Sequence, residues 1–307
     1  MLEVVGFTKR YGETVAVNNL SFTVRSGICF GLLGPNGAGK TTTISMLAGT
    51  VEPDSGKALI DGEPLLGSNR QLRKRIGYVP QELAVYDDLT TQANLEFFGA
   101  LYGMYGTETS AAVTRVLKIV GLSERAGDRV KTFSGGMKRR LNIAIGLLHD
   151  PDLIILDEPT VGVDPQTRNA IFDSLAELRT AGKTILYTTH YMEEVERLCQ
   201  EVAIIDRGQI VASGGLDELK EASRRKQEVT LTFAENSPPP ELDGVKGVIS
   251  VRANCSAVTV DLEDLDGSLS GLLAYCSSRG ASLKSIQSHV PSLENIFLDV
   301  TGRSLRD

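Results

Sequence analysis

The sequence predicts an α/β layered domain followed by a smaller α+β domain, on three observations. The apolar run Ile28-Cys29-Phe30-Gly31-Leu32-Leu33 has no polar alternation, as a strand buried on both faces of a parallel sheet requires. Leu153 to Leu156 and Thr184 to Tyr187 repeat that pattern, each after a segment with helical spacing, and buried strands alternating with helices build layered α/β domains. The length of 307 residues sets a prior of two domains.

In chain order, Glu3 to Phe7 and Leu20 to Val24 read as short antiparallel strands, parted by turn residues at Tyr11-Gly12 and Asn18-Asn19. The strand ending at Leu33 comes next, then a helical run from Thr42 to Leu47. Residues 82–140 change character. Leu95, Phe98, Leu101 and Tyr102, then Val113, Val116, Leu117 and Val120, fall at helical spacing and predict a helical insertion. Met192 to Cys199 reads as a charged helix leading to a fourth buried strand, Val202 to Ile205. The charged stretch Lys220 to Lys226 places a boundary after Leu219, giving domains of residues 1–219 and 220–307. Beyond it, Gln227 to Phe233, Val248 to Val251, Ala257 to Leu262 and Leu283 to Gln287 read as strands, with Pro238-Pro239-Pro240 in a loop. Ser268 to Ser277 and Leu293 to Val300 read as helices, and this mixed order suggests a ferredoxin-like α+β module.

Composition narrows the class of function. With 32 basic against 39 acidic residues the net charge is −7, so no nucleic-acid partner is expected. The greasiest stretch, Leu141 to Leu156, is broken by His149, Asp150, Pro151 and Asp152, short of the ~18 to 20 apolar residues of a spanning helix. The opening MLEVVGFTKRYG lacks a basic n-region and a long apolar h-region, which leads us to expect a cytoplasmic location. Cys29, Cys199, Cys255 and Cys276 form no CxxC pair, and His149, His190 and His289 are too few for a His-rich metal site.

Three places carry chemistry. Gly34-Pro35-Asn36-Gly37-Ala38-Gly39-Lys40-Thr41, followed by Thr42, matches the phosphate-binding loop G-x-x-x-x-G-K-[ST]. Glycines let the chain curl so that successive N–H groups face phosphate oxygens, and the following helix adds its positive end. Lys40 is placed to reach the β- and γ-phosphates and Thr41 to ligate Mg²⁺. The second place is Leu153-Ile-Ile-Leu-Asp157-Glu158, a buried strand ending in two carboxylates. Ligands of open α/β sheets bind beyond the carboxyl ends of strands, so this pair is expected at the edge that carries the phosphate loop. Asp157 suits the metal and Glu158 the polarisation of an attacking water. The third is Phe133-Ser134-Gly135-Gly136-Met137-Lys138, where Ser134 is a good N-cap and two glycines open the first turn to a second anion. A plain cap gains nothing from glycines that cost ~1 kcal/mol each relative to Ala.

These places, together with Gln81 in Tyr78-Val-Pro-Gln81-Glu82, Val163-Asp164 and His190 after Tyr187-Thr-Thr, make residues 2–219 resemble the ATP-binding subunits of ABC transporters. The resemblance implies a P-loop NTPase fold of the ABC ATPase kind. Its parts are an N-terminal antiparallel β-subdomain, a helical signature subdomain and, here, a small C-terminal α+β domain. It also implies that two such chains, as a homodimer or pseudo-symmetric dimer, sandwich two ATP molecules between one chain's phosphate loop and the other's signature. By the same resemblance Tyr11 stacks on adenine, Gln81 senses the metal and the membrane partner, Asp164 couples the two sites and His190 contacts the γ-phosphate. Two departures, Phe133 and Met137 at the ends of the signature and Val161-Gly-Val-Asp164 after the carboxylates, mark a subgroup. Phe133-Ser-Gly-Gly-Met-Lys-Arg-Arg140, Glu158-Pro-Thr-Val-Gly-Val-Asp-Pro165 and Pro291-Ser-Leu-Glu-Asn-Ile-Phe-Leu-Asp-Val-Thr-Gly-Arg303 are similar to ATPase subunits of ABC-2 type exporters, including the daunorubicin-resistance group.

The resemblance therefore implies an ATP- and Mg²⁺-using motor on the inner face of the cell membrane, driving separate ABC-2 type permease subunits. Tyr86, Leu89, Phe97 and Phe98 are candidates for the permease contact or for helical-subdomain core. Three alternatives stay open: a small-molecule kinase, a non-transport ABC-type ATPase and an import ATPase. The kinase has no use for Ser134. The non-transport member would carry a coiled-coil insertion or a fused second cassette, and the importer a β-rich C-terminal barrel. Leu293, Ile296, Phe297 and Val300 give the last helix an amphipathic face, expected to support the dimer.

Overall fold

The computed structural model describes residues 1–65, 70–223, 227–234, 237, 239–254, 257–263, 265–289 and 293–301. It divides into two units, the first running from Met1 to Gly215 and the second beginning at Leu216.

The first unit opens with β1 (Leu2–Tyr11) and β2 (Thr14–Val24), an antiparallel pair. Asn18-Asn19, expected as a turn, lies inside β2. Here the pairing with β1 slips in register, and Asn19 adopts a positive φ of 50° beside the similarly twisted Gly6. Asn tolerates that left-handed conformation, so the pair makes a bulge and the strand continues. β3 (Cys29–Leu33) is buried at every position and leads through the phosphate loop into α1 (Lys40–Ala48). β4 (Ser55–Ile60) and the short β5 (Glu63–Pro64) complete a four-stranded sheet of order β2-β1-β4-β5.

After α2 (Arg70–Arg73) comes β6 (Ile76–Val79), then α3 (Thr91–Leu101), α4 (Thr107–Ile119) and α5 (Gly135–Leu147). α5 runs straight through residue 140, so the helical segment closes at Leu147 and not near 140. β7 (Leu153–Asp157), α6 (Pro165–Thr180), β8 (Thr184–Thr189), α7 (Met192–Leu198), β9 (Glu201–Asp206) and β10 (Gln209–Gly215) finish the unit. The six-stranded sheet has the order β10-β9-β3-β8-β7-β6, parallel throughout except for the edge strand β10. Its strands β3, β7 and β8 are buried along their whole length, which explains why they read as unbroken apolar runs. Strand register aligns their ends, since Leu33 of β3 pairs Thr189 of β8, and Asp157 of β7 pairs Thr188. The three strands thus deliver the phosphate loop, the carboxylate pair and the His190 turn to one edge.

The second unit starts with α8 (Leu216–Ser223), so the boundary expected after Leu219 falls inside a helix and the break precedes it. Next come β11 (Gln227–Phe233), β12 (Val248–Asn254), β13 (Ala257–Leu262), α9 (Leu265–Ser278), β14 (Leu283–His289) and α10 (Leu293–Thr301). The antiparallel order β12-β13-β11-β14 is that of a ferredoxin-like sheet. Val229, Leu231, Phe233, Val258, Val260 and Leu262 of the sheet pack with Leu272 and Cys276 of α9. In α10, Leu293, Ile296 and Phe297 are buried, while the side chain of Val300, like Pro238 and Cys255, lies outside the described residues.

Candidate active site

The phosphate loop is fixed from several sides. Gly39 caps α1 at φ 104°, and a Cβ there would stand 2.5 Å from the Ala16 carbonyl oxygen, so only glycine fits. Gly208 N–H donates to the Ala38 carbonyl at 2.9 Å, and Thr43 Oγ1 donates to the Gly39 carbonyl at 2.9 Å. Lys40, only 4% exposed, curls back on its own loop and donates to the carbonyls of Gly34 at 2.7 Å and Pro35 at 3.0 Å. Its Nζ also lies 3.1 Å from Glu158 Oε1, a buried charge pair.

The carboxylate pair is held by β8. Thr188 Oγ1 donates to Asp157 Oδ1 at 2.7 Å and accepts from Glu158 N–H at 2.9 Å, so one hydroxyl fixes both residues. Thr41 Oγ1 lies 3.4 Å from the same Asp157 oxygen. Asp157 Oδ2 is buried without a partner among the described residues. Burial pushes the Asp157 carboxyl above its ordinary range, opposed by the hydrogen bonds from Thr188 and Thr41. Burial, and then the charge of Asp157, push the Tyr78 hydroxyl up to about 12. Glu158 sits at φ 45°, a left-handed conformation that costs a non-glycine residue of order 1 kcal/mol and is kept where geometry demands it. It swings the carboxylate off the strand axis to meet Lys40 on one oxygen. The other, Oε2, stands 3.2 Å from His190 Nδ1, outside hydrogen-bond geometry.

The chain belongs to the ABC transporter ATP-binding family. A family model described as "ABC transporter" matches residues 17–161, and one described as "ATP-binding protein DrrA1-3-like, C-terminal domain" matches residues 214–301. The linearmycin resistance ATP-binding protein LnrL of Bacillus subtilis (strain 168) is 42% identical over 316 residues, covering 100% of both chains. The Nod factor export ATP-binding protein I of Ralstonia nicotianae is 40% identical, covering 100% of this chain and 95% of that one. Among solved structures, the ATP-binding subunit of an ABC transporter superposes with a TM-score of 0.65 at 31% identity, covering 73% of this chain and 93% of its own. A dimeric ATP-binding cassette in a post-hydrolysis state with ADP and phosphate gives 0.64 at 25% identity, covering 70% and 99%. The chain is accordingly an ATP-binding, ATP-hydrolysing ABC transporter subunit.

The remaining ABC elements fall into three places. Tyr11 ends β1 half exposed, with Lys9 Nζ 5.8 Å from its ring centre. Ser134 caps α5, its Oγ accepting from Met137 N–H at 3.2 Å. Gly135 faces open space, whereas a Cβ on Gly136 would come within 2.5 Å of Thr167 Oγ1. That threonine donates from N–H and Oγ1 to the Asp164 carboxylate at 2.9 and 2.7 Å, which caps α6 and holds its own acid below the ordinary carboxylate range. So Asp164 and the signature meet through Thr167. Gln81 is exposed just beyond β6, and no hydrogen bond among the described residues joins it to Thr41 or Asp157. Its loop is gripped by α5 instead. Arg139 and Asn142 both donate to the Pro80 carbonyl, at 3.1 and 3.2 Å, and Asn142 Oδ1 accepts from Ala84 N–H at 3.0 Å. Nothing links Ser134, Gly135 or Gly136 to the phosphate loop of the same chain among the described residues.

Thr188, which holds the carboxylate pair, is a residue that the sequence does not single out. Thr188 is visible there only as part of the Tyr187-Thr-Thr run, because its partners come from β7 through parallel-strand register.

Proposed function

We propose that the chain is the ATP-driven motor subunit of an exporter, working as a dimer of cassettes on the inner face of the cell membrane with separate ABC-2 type permease subunits. One observation carries the reading. Lys40, Asp157, Glu158, Thr188 and His190 converge at one sheet edge, while the signature helix opens its glycine face elsewhere. A site so divided is completed by the signature of a second cassette. Phosphoryl transfer to water needs mainly positioning and charge stabilisation. In this assignment Lys40 leaves Glu158 for the β- and γ-phosphates, and Glu158 polarises the attacking water. His190 donates to the γ-phosphate, and Tyr11 packs on adenine.

The residues present fit Mg²⁺. Asp157 Oδ2 is a buried oxygen without a partner among the described residues, and the Thr41 hydroxyl stands beside the same carboxylate. Among the described residues there is no cluster of three His, Cys, Asp or Glu, and Mg²⁺ bound to nucleotide needs none, since phosphates and water supply its other oxygens. The ion would neutralise charge on the phosphates, with Thr41 and Asp157 holding it and Gln81 reaching toward it.

Export is supported by the relatives' own roles in linearmycin resistance and Nod factor export, and by an α+β C-terminal unit in place of a β-barrel. No helix among the described residues is long and apolar enough to cross a membrane, and in this reading the permease subunits supply the path. Leu83, Tyr86, Leu89, Phe97, Leu101 and Tyr105 are exposed on and around α3 and offer it an apolar surface. We assign the second unit, which begins at Leu216, to dimer support. Deleting residues 227–307 is then expected to weaken ATP-dependent dimerisation measured by light scattering. The decisive experiment co-purifies the chain with its membrane partner into vesicles of defined sidedness. Export predicts that ATP on the cassette side drives an amphiphilic compound away from that side; accumulation toward it would establish import.

A further inference from the structure

Beneath the His190 turn lies a buried carboxylate that the catalytic assignment does not use. Glu194, on the first turn of α7, is 2% exposed. Its Oε1 accepts from Thr160 Oγ1 at 2.6 Å, and its Oε2 accepts from Thr189 Oγ1 at 2.7 Å and from the Tyr187 hydroxyl at 2.9 Å. Burial, and then the charge of Glu194, hold the Tyr187 hydroxyl far above its ordinary range, so it remains a donor. Arg168 approaches Oε1 to 3.7 Å from α6, and its guanidinium lies 5.6 Å from the Tyr191 ring centre.

The donors are not arbitrary points of the core. Thr160 follows Glu158 in the turn after β7, and Thr189 immediately precedes His190. Thr189 Oγ1 also accepts from Tyr191 N–H at 3.0 Å, so both neighbours of His190 are tied through one hydroxyl to Glu194. The imidazole itself lies 4.1 Å from the Tyr191 ring, centre to centre. Arg168 sits on the helix that Asp164 caps. A buried carboxylate is a poor way to fill space, because an apolar side chain of similar size is often neutral or better for stability. Three hydroxyl donors from separate positions are a good way to fix angles.

We propose that Glu194 is a positioning residue for ATP hydrolysis: it sets the orientation of His190 through Thr189 and Tyr191, and registers that turn against the loop that follows Glu158. The inference rests on the assignment of His190 to the γ-phosphate. It requires Glu194 to affect the chemical step and to leave nucleotide capture alone, since its hydrogen bonds run to Thr160, Tyr187 and Thr189 and not to the phosphate loop.

The test is single-turnover ATP hydrolysis by the full chain carrying Glu194→Gln, His190→Ala or both, with ATP affinity and melting temperature measured alongside. Glu194→Gln is expected to lower the hydrolysis rate about 10-fold with ATP affinity within about twofold, and to cost less than about twofold further when His190→Ala is already present. Thr189→Val, which keeps the strand and removes the bridging hydroxyl, is expected to reproduce the loss should Glu194→Gln fold poorly. Parental rates in both Glu194→Gln and Thr189→Val would overturn the proposal. So would a loss of about 10-fold repeated in full on the His190→Ala background, or a loss matched by weaker ATP binding. A parental rate in His190→Ala alone would instead remove the catalytic assignment on which it stands.

Discussion

Two helices of the first unit begin at glycines that we assign to anion binding, and they are finished in opposite ways. At the start of α1, Lys40 is buried, bonded to its own loop and paired with Glu158, and Gly39 is wedged against Ala16. At the start of α5, Ser134 and Gly135 are exposed and a side chain added at Gly135 would meet nothing among the described residues. The first terminus has its charged lysine and, in the proposed assignment, its catalytic carboxylate in the same chain. The second has neither among the described residues, although Gly136 behind it is packed tightly against Thr167. Preorganisation is thus concentrated at the terminus we assign to hydrolysis, while the other keeps a bare donor surface backed by the contact of Gly136 with Thr167 at the Asp164 cap.

Breaking the first terminus should have the largest effect. Glu158→Gln keeps the shape and removes the base, so steady-state ATP turnover is expected to fall by about 10² to 10⁴ while ATP still binds and a dimer accumulates on size-exclusion chromatography. Turnover at the parental rate would move the base elsewhere. At the second terminus, Gly136→Ala drives a methyl into Thr167 and is expected to cost about 1 to 3 kcal/mol in urea unfolding, with turnover down about tenfold. Thr167→Ala should restore stability in the double variant. Gly135→Ala separates surface from packing. It is expected to leave the melting temperature at or above the parental value, because alanine is preferred to glycine in helices by up to ~1 kcal/mol, yet to reduce turnover several-fold through the bare face. Unchanged turnover would mean that this face meets no nucleotide.

His149 belongs to neither terminus and provides the smallest effect, a control on stability alone. It stacks on Tyr102 at 3.9 Å and its Nε2 bonds the Ile76 carbonyl at 2.9 Å. Burial holds its imidazole below the ordinary 6.5. The unfolded chain therefore takes up the proton first on acidification, and stability falls as pH drops through the window below 6.5. His149→Gln should flatten the melting temperature between about pH 7 and pH 5.5 without changing turnover at about pH 7.5.

The parallel core was legible because β3, β7 and β8 are buried on both faces and carry no alternation. The phosphate loop and the carboxylate pair were legible because their chemistry is local. Features set by long-range register escaped. β6 is only Ile76–Val79, too short to show a pattern, and gains its place by pairing with β7. Thr188 gathers its partners from β7, some thirty residues away, and Glu194 is joined to the loop after Glu158 only through Thr160, so neither link carries a local sign. Asn18-Asn19 carries turn chemistry and uses it for a bulge, a choice made by the pairing of β1 with β2.

The thirteen residues of α5 make a rod ~20 Å long at ~1.5 Å per residue. Ser134 stands at one end, and partway along it Arg139 and Asn142 clasp the loop that holds Gln81 and leads to the exposed Tyr86 before α3. A rod clasped in that way works as a lever. A tilt of ~10° about its clasp, which lies midway between Ser134 and Leu147, would sweep each end by about 1.7 Å, given the same rise per residue. In the assignment proposed above, nucleotide capture at Ser134 and displacement at the Gln81 loop would then be two readings of a single angle.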